Sequence, residues 1–227
     1  MIEPRYQFII ILLIISIIIC ILYVYNPITK PLIPILPKEF QIWAHRCRNG
    51  DDFCMDNSIP GFVSAQNAGF TGIELDLQVN DNIFYVHHDS WEYANGLTLR
   101  DFIPYKQSNT WLWLDLKTTD FSSNDHIRSI AKELGTIVDN KKTVVELGSE
   151  TAVNIFTENG FYTAITPEFR GDSKPTFLVQ NVILLFLSPM TIFNTYKPPG
   201  GWMVWCVYHK EIIPLLQNMN IAAVLMY

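Results

Sequence analysis

Two acids interrupt an apolar stretch of this chain in a regular pattern. The segment 72–89 reads GIELDLQVNDNIFYVHHD. Glu74 and Asp76 alternate with aliphatic residues, so a β-strand would carry both carboxylates on one face. An acid that faces the interior of a domain needs a compensating charge. The alternative is a solvated outer face, with Leu75 and Leu77 inside.

The same segment contains a turn signal and a histidine. The polar residues at 80–82 followed by the β-rich run at 83–88 predict a hairpin. Folding about this turn sets Glu74 opposite His88 and Asp76 opposite Val86. Carboxylates this close repel each other unless a cation or a substrate joins them. The hairpin therefore predicts a hard divalent cation beside a proton-transfer group.

Two other strand-like runs end in charged residues. His45 and Arg46 follow an apolar run, and a histidine beside a permanent cation suits a phosphate oxyanion. The run 111–117 places Asp115 and Lys117 on one face, where they supply a third carboxylate and a phosphate-neutralising ammonium. The alternative for His45 and Arg46 is an exposed loop pair. The alternative for Asp115 and Lys117 is an ordinary salt-bridged strand end. Trp205, in the run 202–207, lines the substrate side or simply packs in a strand.

Short apolar runs alternate with helix-like segments along the chain. Strands are predicted at 41–45, 72–79, 83–88, 111–117, 143–147, 162–166, 182–187, 202–207 and 221–226. Helices are predicted at 59–68, 125–134, 150–158 and 211–218, with Ser58, Asn124 and Ser149 as N-caps.

This alternation predicts a largely parallel sheet. Eight strands plus one hairpin partner favour an α/β fold, a compact (β/α)8 TIM-type barrel. The glycine-rich nucleotide fingerprint that would favour an open doubly wound sheet is missing from the sequence. In such a barrel, chemistry gathers where the strands end and the loops begin.

The N-terminal region differs from the rest in composition. Segment 1–7 is a short tail, and 8–25 is an uncharged apolar run long enough to cross most of a ~30 Å hydrocarbon layer. We interpret it as an uncleaved single-pass signal anchor, with a cleaved signal peptide and a buried helix as alternatives. Segment 26–38 is a proline-rich linker, and 39–227 is the barrel domain. The flanking charges do not decide orientation, and the hypothesis is an extracytoplasmic domain.

Charge and cysteine content narrow the class further. The net charge is −6 with no basic cluster, so nucleic acid is not an expected partner. Cys47 and Cys54 are the only loop pair among four cysteines, and they form either a disulfide or two free thiols.

The string WAHRCRNGDDFCMDNSIPGFVSAQNAGFTGIELDLQVNDNIFYVHHD resembles the start of the glycerophosphodiester phosphodiesterase family. That family shows, in order, His-Arg-Gly, Glu-Asn-Thr, Ala-x-x-x-Gly, Glu-x-Asp and His-Asp. Residues 113–117 resemble its later Glu-Ile-Lys strand, and 204–207 resemble its Trp-Thr-Val-Asn strand.

The resemblance implies a phosphoric diester hydrolase with the roles assigned as follows. His45 and His88 are the catalytic acid/base pair, and Arg46 and Lys117 contact the substrate phosphate. Glu74, Asp76 and Asp115 hold one divalent cation, Mg²⁺ or Ca²⁺. Beyond these implied roles, the candidates for lining the substrate are Trp205, Asp56 and Asn57.

The chain also departs from the family pattern. Cys47 stands where the family has glycine, and Asp56 and Asp115 replace glutamates. Many family members carry an insertion after the His-Asp motif, whereas here residues 90–110 alone separate that motif from the next strand. We therefore expect a more open substrate pocket. The main hypothesis is metal-dependent glycerophosphodiester hydrolysis. The alternatives are lysophospholipase D-type activity on a lysophospholipid near the membrane, and a headgroup-binding barrel that does not turn its ligand over.

Overall fold

The structure, a computed structural model, describes residues 41–48, 56–89, 96–117, 123–166, 172, 174–181, 202–207, 213, 216 and 221–226. Its nine strands are β1 (Gln41–Ala44), β2 (Gly72–Asn80), β3 (Ile83–Val86), β4 (Trp111–Leu116), β5 (Thr143–Glu146), β6 (Tyr162–Ile165), β7 (Phe177–Asn181), β8 (Trp202–Val207) and β9 (Ile221–Met226).

Eight of these strands form a closed parallel barrel. The order around the sheet is β1-β9-β8-β7-β6-β5-β4-β2, and β1 also pairs with β2, which closes the ring. β3 is the hairpin partner of β2 and pairs antiparallel with residues 77–80 of that strand. The predicted (β/α)8 barrel with one added hairpin strand is therefore confirmed.

Strand alternation separates two apolar layers. One cluster fills the barrel interior and contains Trp43, Trp111, Trp113, Val144, Ala164, Phe177, Met203, Ala223 and Leu225. The other lies between the strands and the helices and includes Leu75, Leu77, Leu112 and Leu114. Because successive side chains of a strand point to opposite faces, every second residue of each strand faces the interior, as Trp111 and Trp113 do on β4. This alternation decides which polar side chains enter the barrel.

Four helices are described: α1 (Ile59–Asn67), α2 (Leu99–Phe102), α3 (Asn124–Ile137) and α4 (Glu150–Glu158). Ser58 and Ser149 cap α1 and α4 as predicted, accepting hydrogen bonds from Gly61 N and Ala152 N. The cap of α3 is Ser123, one residue before the predicted Asn124, because its hydroxyl accepts from His126 N. α2 was not predicted; its start carries a capping box of Thr98 and Asp101.

The hairpin register differs from the prediction by one residue. Asp81 and Asn82 both have positive φ, 50° and 60°, which is typical of a two-residue type I′ turn. Asn80 therefore pairs with Ile83, and Val86 lies opposite Leu77 rather than Asp76. The backbone N–H of His87 donates to Asp76 O at 3.1 Å. The predicted opposition of Glu74 and His88 is wrong because the turn contains two residues instead of three.

The sixth barrel strand, β7, precedes the segment that the sequence predicts as a strand. β7 spans Phe177–Asn181 and joins β6 to β8, whereas the predicted strand at 182–187 falls outside the described residues. Of the predicted helix at 211–218, Ile213 and Leu216 are described, and both are helical.

The described part of the chain holds no helix long and apolar enough to cross a bilayer. The segments 1–7, 8–25 and 26–38 all lie outside it, so the signal anchor and the proline-rich linker stay predictions.

Gly72 on β2 provides a test of the interior packing. A Cβ at this position would overlap the Trp43 indole, which also packs against Trp111 and Trp113 at ring-centroid distances of 6.2 Å. Since the indole cannot move aside freely, we expect Gly72→Ala to lower the free energy of unfolding by about 1–3 kcal/mol. Urea denaturation would measure the change.

Gly148→Ala is the matched control, because no atom lies within 4 Å of the Cβ it would gain. Equal stability of the two variants would contradict the packing described around Gly72.

Candidate active site

Three carboxylates meet inside the mouth of the barrel. Glu74, Asp76 and Asp115 each offer an oxygen that lies within 4.8 Å of the others. Asp76 and Asp115 are directly paired across β2 and β4. Glu74 is 2% exposed and Asp76 is fully buried, so the acids face inward and the alternative of a solvated outer face is wrong.

Arg46 contacts two of these acids by two different groups. Its backbone N–H donates to Glu74 Oε2 at 2.5 Å, and its Nε lies 3.1 Å from Asp76 Oδ2. Arg46 and Cys47 both have left-handed φ, 51° and 64°. Such strain is uncommon outside glycine and persists where the surrounding contacts enforce it. Here it turns the Arg46 N–H toward the acids directly after β1.

Asn57, two residues before α1, makes two hydrogen bonds with Asp76. Asn57 Nδ2 donates to Asp76 Oδ2 at 2.8 Å, and the Asp76 N–H donates back to Asn57 Oδ1 at 3.1 Å. The Asn57 N–H also donates to Arg46 O at 2.8 Å. Asn57 therefore orients a carboxylate and fixes the strained turn that carries Arg46.

Asp56 is held by Arg48. The guanidinium of Arg48 makes two hydrogen bonds to the Asp56 carboxylate, at 2.8 and 2.6 Å, and Arg48 is buried. Arg46 Nη1 is 4.0 Å from the same carboxylate. The Arg48 guanidinium therefore fixes the Asp56 carboxylate in position next to Arg46.

Lys117 joins the cluster from the end of β4. Its Nζ lies 3.2 Å from Asp76 Oδ1 and 2.5 Å from Asp115 Oδ2. Burial disfavours the charged lysine, but Asp115 and Asp76 outweigh this effect and raise the pKa of Lys117. Lys117 and Arg46 are thus two cations that approach different oxygens of Asp76.

Burial is the main influence on the protonation of Glu74 and Asp115. It raises the pKa of Glu74 well above its usual value, and the nearby Asp76 adds to the rise. It also raises the pKa of Asp115, against the opposing charge of Lys117. A positive charge placed nearby would stabilise the ionised form of these buried carboxyls.

His45 is buried directly after β1, beside the cluster. Burial, followed by the positive charge of Arg46, lowers the pKa of His45 to about 3. The imidazole is therefore neutral at physiological pH, which is the form that can act as a base.

His88 lies at the exposed rim rather than inside. Its side chain is 41% exposed, and its Nδ1 lies 2.8 Å from Asp89 Oδ1. The imidazole is within electrostatic range of Asp115, because it contributes to the balance that sets the pKa of that acid. Trp205 is on β8, paired in register with Asn181, and its side chain lies outside what the structure describes.

Cys47 occupies the position at which the resembling family has glycine. It is fully buried, its Sγ lies 3.8 Å from Glu74 O, and it is a free thiol. Burial raises the pKa of this thiol well above its usual value. Cys54 lies outside the described residues.

Sequence reasoning missed two charged residues of this region. Glu146 ends β5 directly beside Asp115, and Arg48 is the buried partner of Asp56. The signal for Glu146 was present: an acid that ends an apolar barrel strand, two residues after the interior-facing Val144. Arg48 carried no such signal, since its partner is eight residues away in a loop.

The donor set fits a hard divalent cation. Glu74, Asp76 and Asp115 are oxygen ligands of the kind Mg²⁺ and Ca²⁺ prefer. Among the described residues, Asp76 Oδ1 accepts no hydrogen bond although it is buried. These observations define a (β/α)8 barrel whose mouth combines a carboxylate cluster with two fixed cations and a neutral histidine.

Solved structures with this fold carry a common description. A glycerophosphodiester phosphodiesterase from Parabacteroides distasonis superposes with a TM-score of 0.66 at 18% identity, covering 83% of this chain and 92% of its own. A glycerophosphoryl diester phosphodiesterase domain from Mycobacterium tuberculosis gives 0.54 at 16% identity, covering 83% and 96%. No protein-family model and no curated protein matches the sequence. The chain therefore shares its barrel fold with these solved structures.

The lowered pKa of His45 predicts an acid sensitivity with a definite sign. Between the ordinary pKa of 6.5 and the folded value of about 3, the unfolded chain binds a proton that the folded chain does not. Protonation of the unfolded chain therefore lowers the stability of the fold as the pH falls from 6.5 toward 3. Relative to His45→Gln, the wild type should lose about 1 kcal/mol per pH unit in this window.

Urea denaturation at several pH values, with chelator present throughout, would measure this difference. His126→Gln, on the first turn of α3, serves as control. A wild-type minus His45→Gln difference that is constant from pH 6.5 to 4 would show that His45 is not desolvated.

Proposed function

We propose that this protein hydrolyses glycerophosphodiesters with the help of one divalent cation. The observation that carries the proposal is the convergence of His45, Arg46, Lys117 and the carboxylate cluster at one end of the barrel. Structural similarity to glycerophosphodiester phosphodiesterases supports phosphodiester hydrolysis as the reaction class.

Glu74, Asp76 and Asp115 would hold the cation, Mg²⁺ or Ca²⁺. When bound, the cation supplies positive charge that polarises the phosphate and offsets the cost of burying three acids. Arg46 and Lys117 would then bind non-bridging phosphate oxygens, since both cations lie within about 3 Å of Asp76 in the carboxylate cluster.

His45 and His88 would divide the proton transfers. Neutral His45 accepts the proton of the attacking hydroxyl as the new P–O bond forms. His88 donates a proton to the leaving oxygen as the old P–O bond breaks, releasing an alcohol and a glycerol phosphate. The anionic substrate would raise the pKa of His45 from about 3 toward the range in which it can accept this proton.

Removal of either imidazole tests this division of roles. We expect His45→Ala and His88→Ala to lower kcat by about 10²–10⁴-fold with glycerophosphocholine as substrate. His126→Ala on α3 should retain full activity. Activity should disappear with a chelator and return with Mg²⁺ or Ca²⁺.

Unchanged turnover in either active-site variant would rule out the proposed acid/base pair. Retained binding of glycerophosphocholine by the wild type without turnover would instead favour a headgroup-binding barrel.

A lysophospholipid is the second candidate substrate. The apolar segment 8–25, which we propose as a single-pass anchor, would hold the barrel near a lipid surface. The full chain in detergent, assayed with glycerophosphocholine and with lysophosphatidylcholine, separates the two substrates. We expect a higher kcat/KM for glycerophosphocholine, and the reverse order would assign the protein to lysophospholipase D-type chemistry.

A further inference from the structure

Lysines from three loops gather at the end of the barrel opposite the carboxylate cluster. One lies in the loop before β4, two come directly before β5, and one lies in the loop before β7: Lys106, Lys141, Lys142 and Lys174. The eight barrel strands are parallel, so the loops that lead into them meet at one end and the site lies at the other. We call these four residues the lysine face.

Contacts between the loops hold two of these lysines close together. Lys142 Nζ donates to Ser108 O at 2.5 Å, which joins the loop before β5 to the loop before β4. Lys106 Nζ donates to Gln107 O at 3.2 Å. Burial, followed by the positive charge of Lys142, lowers the pKa of Lys106, so the two ammonium groups repel each other. An anionic group bound at this end of the barrel would relieve that repulsion.

Positive charge is in excess at the lysine face. In the described parts of the loops that lead into the barrel strands, Asp139 is the one acid that accompanies the four lysines. The mouth has no such excess, because its carboxyls outnumber Arg46, Arg48 and Lys117. The chain as a whole has a net charge of −6, so its positive potential is concentrated locally. A negatively charged surface would therefore attract this end of the barrel first.

An exposed aromatic side chain adjoins the lysines. Tyr105, directly before Lys106, is 50% exposed, and only Ile83 joins it as an exposed large apolar side chain among the described residues. A tyrosine ring has an apolar body and a polar tip, which suits the headgroup region of a bilayer. Exposed lysines beside such a ring are typical of a protein surface that lies on anionic phospholipid.

The direction from which the chain enters the barrel favours a bilayer over another polyanion. β1 begins at Gln41, so the chain enters at the end that carries the lysine face. The apolar segment 8–25, which we propose as an anchor, precedes it by residues 26–40, which span at most about 50 Å when fully extended. Such a tether keeps the effective concentration of lipid at this face high.

We propose that the lysine face, together with Tyr105, rests on the anionic phospholipid surface of the membrane that holds segment 8–25, with the barrel mouth turned away from the bilayer. This inference uses the proposed anchor and does not depend on the proposed reaction. The mouth then opens to water, which agrees with the higher kcat/KM expected for glycerophosphocholine than for a lysophospholipid.

Lysine acetylation of the full chain in vesicles tests this orientation. The vesicles contain phosphatidylcholine alone or phosphatidylcholine mixed with phosphatidylglycerol, and mass spectrometry measures how fast uncharged N-hydroxysuccinimidyl acetate modifies each lysine. We expect the exposed Lys141 and Lys174 to react about fivefold more slowly in the anionic vesicles, the factor that one lysine near an anionic leaflet contributes to binding. Lys132, exposed on α3, is the internal control and should react equally in both. High salt should abolish the difference.

Charge removal shows whether the lysines act together. In the triple variant Lys106→Gln, Lys141→Gln and Lys142→Gln, we expect the remaining Lys174 to react at the same rate in both vesicle types. The matched control removes three positive charges from the helices and should behave as wild type: Arg100→Gln, Arg128→Gln and Lys132→Gln. Both triple variants should turn over glycerophosphocholine in detergent as the wild type does, so failure of the proposed reaction is measured separately.

The outcomes that would overturn the inference are distinct. Equal acetylation of Lys141 and Lys174 in the two vesicle types refutes it, and so does equal slowing of Lys132. A chain that floats with neither vesicle type in a density gradient refutes the proposed anchor and this inference with it. Protection of these lysines by RNA but not by anionic vesicles would assign the face to a nucleic acid instead. If the lysine-face variant does not fold, the lipid and salt dependence of the wild type decides.

Discussion

The structure around the barrel mouth depends on burying Asp76 with its charge compensated. Desolvating a carboxylate costs several kcal/mol unless opposite charges and donors replace the lost water. Here Arg46 and Lys117 approach the two oxygens of Asp76, and Asn57 donates to one of them. These partners come from three separate segments, which follow β1, precede α1 and end β4. Compensation of the Asp76 charge thus constrains the positions of these three chain segments.

The backbone after β1 is shaped by the same requirement. The Arg46 N–H reaches Glu74 only because Arg46 and Cys47 adopt left-handed conformations. A non-glycine residue pays about 1 kcal/mol for this conformation. Burial of the Cys47 side chain against the strand-helix layer offsets part of that cost. Cys47 therefore holds a left-handed conformation that usually favours glycine, and the contacts of its neighbours maintain it.

Sequence patterns predicted the barrel well because their signals are local. Alternation in β2 and β4 identified the inward acids, and serine caps marked the starts of α1 and α4. The hairpin register failed because two- and three-residue turns share the same residue types, and only backbone angles distinguish them. Arg48 was missed because its role depends on Asp56, a partner brought close by folding, whereas the place of Glu146 at the end of an apolar strand was readable from the sequence.

Asp115 is one methylene shorter than the glutamate of the resembling family, and the sheet itself accommodates this difference. Asp76 and Asp115 are paired in register on adjacent parallel strands, whose spacing is about 4.8 Å. The separation of their carboxylates is therefore set mainly by the backbone, and the loss of one methylene shifts both oxygens along the side-chain direction rather than apart. The three acids still gather within 4.8 Å. A shortened side chain at a directly paired position is consequently a smaller change than the same substitution in a loop, where no ladder of hydrogen bonds would hold the partners together.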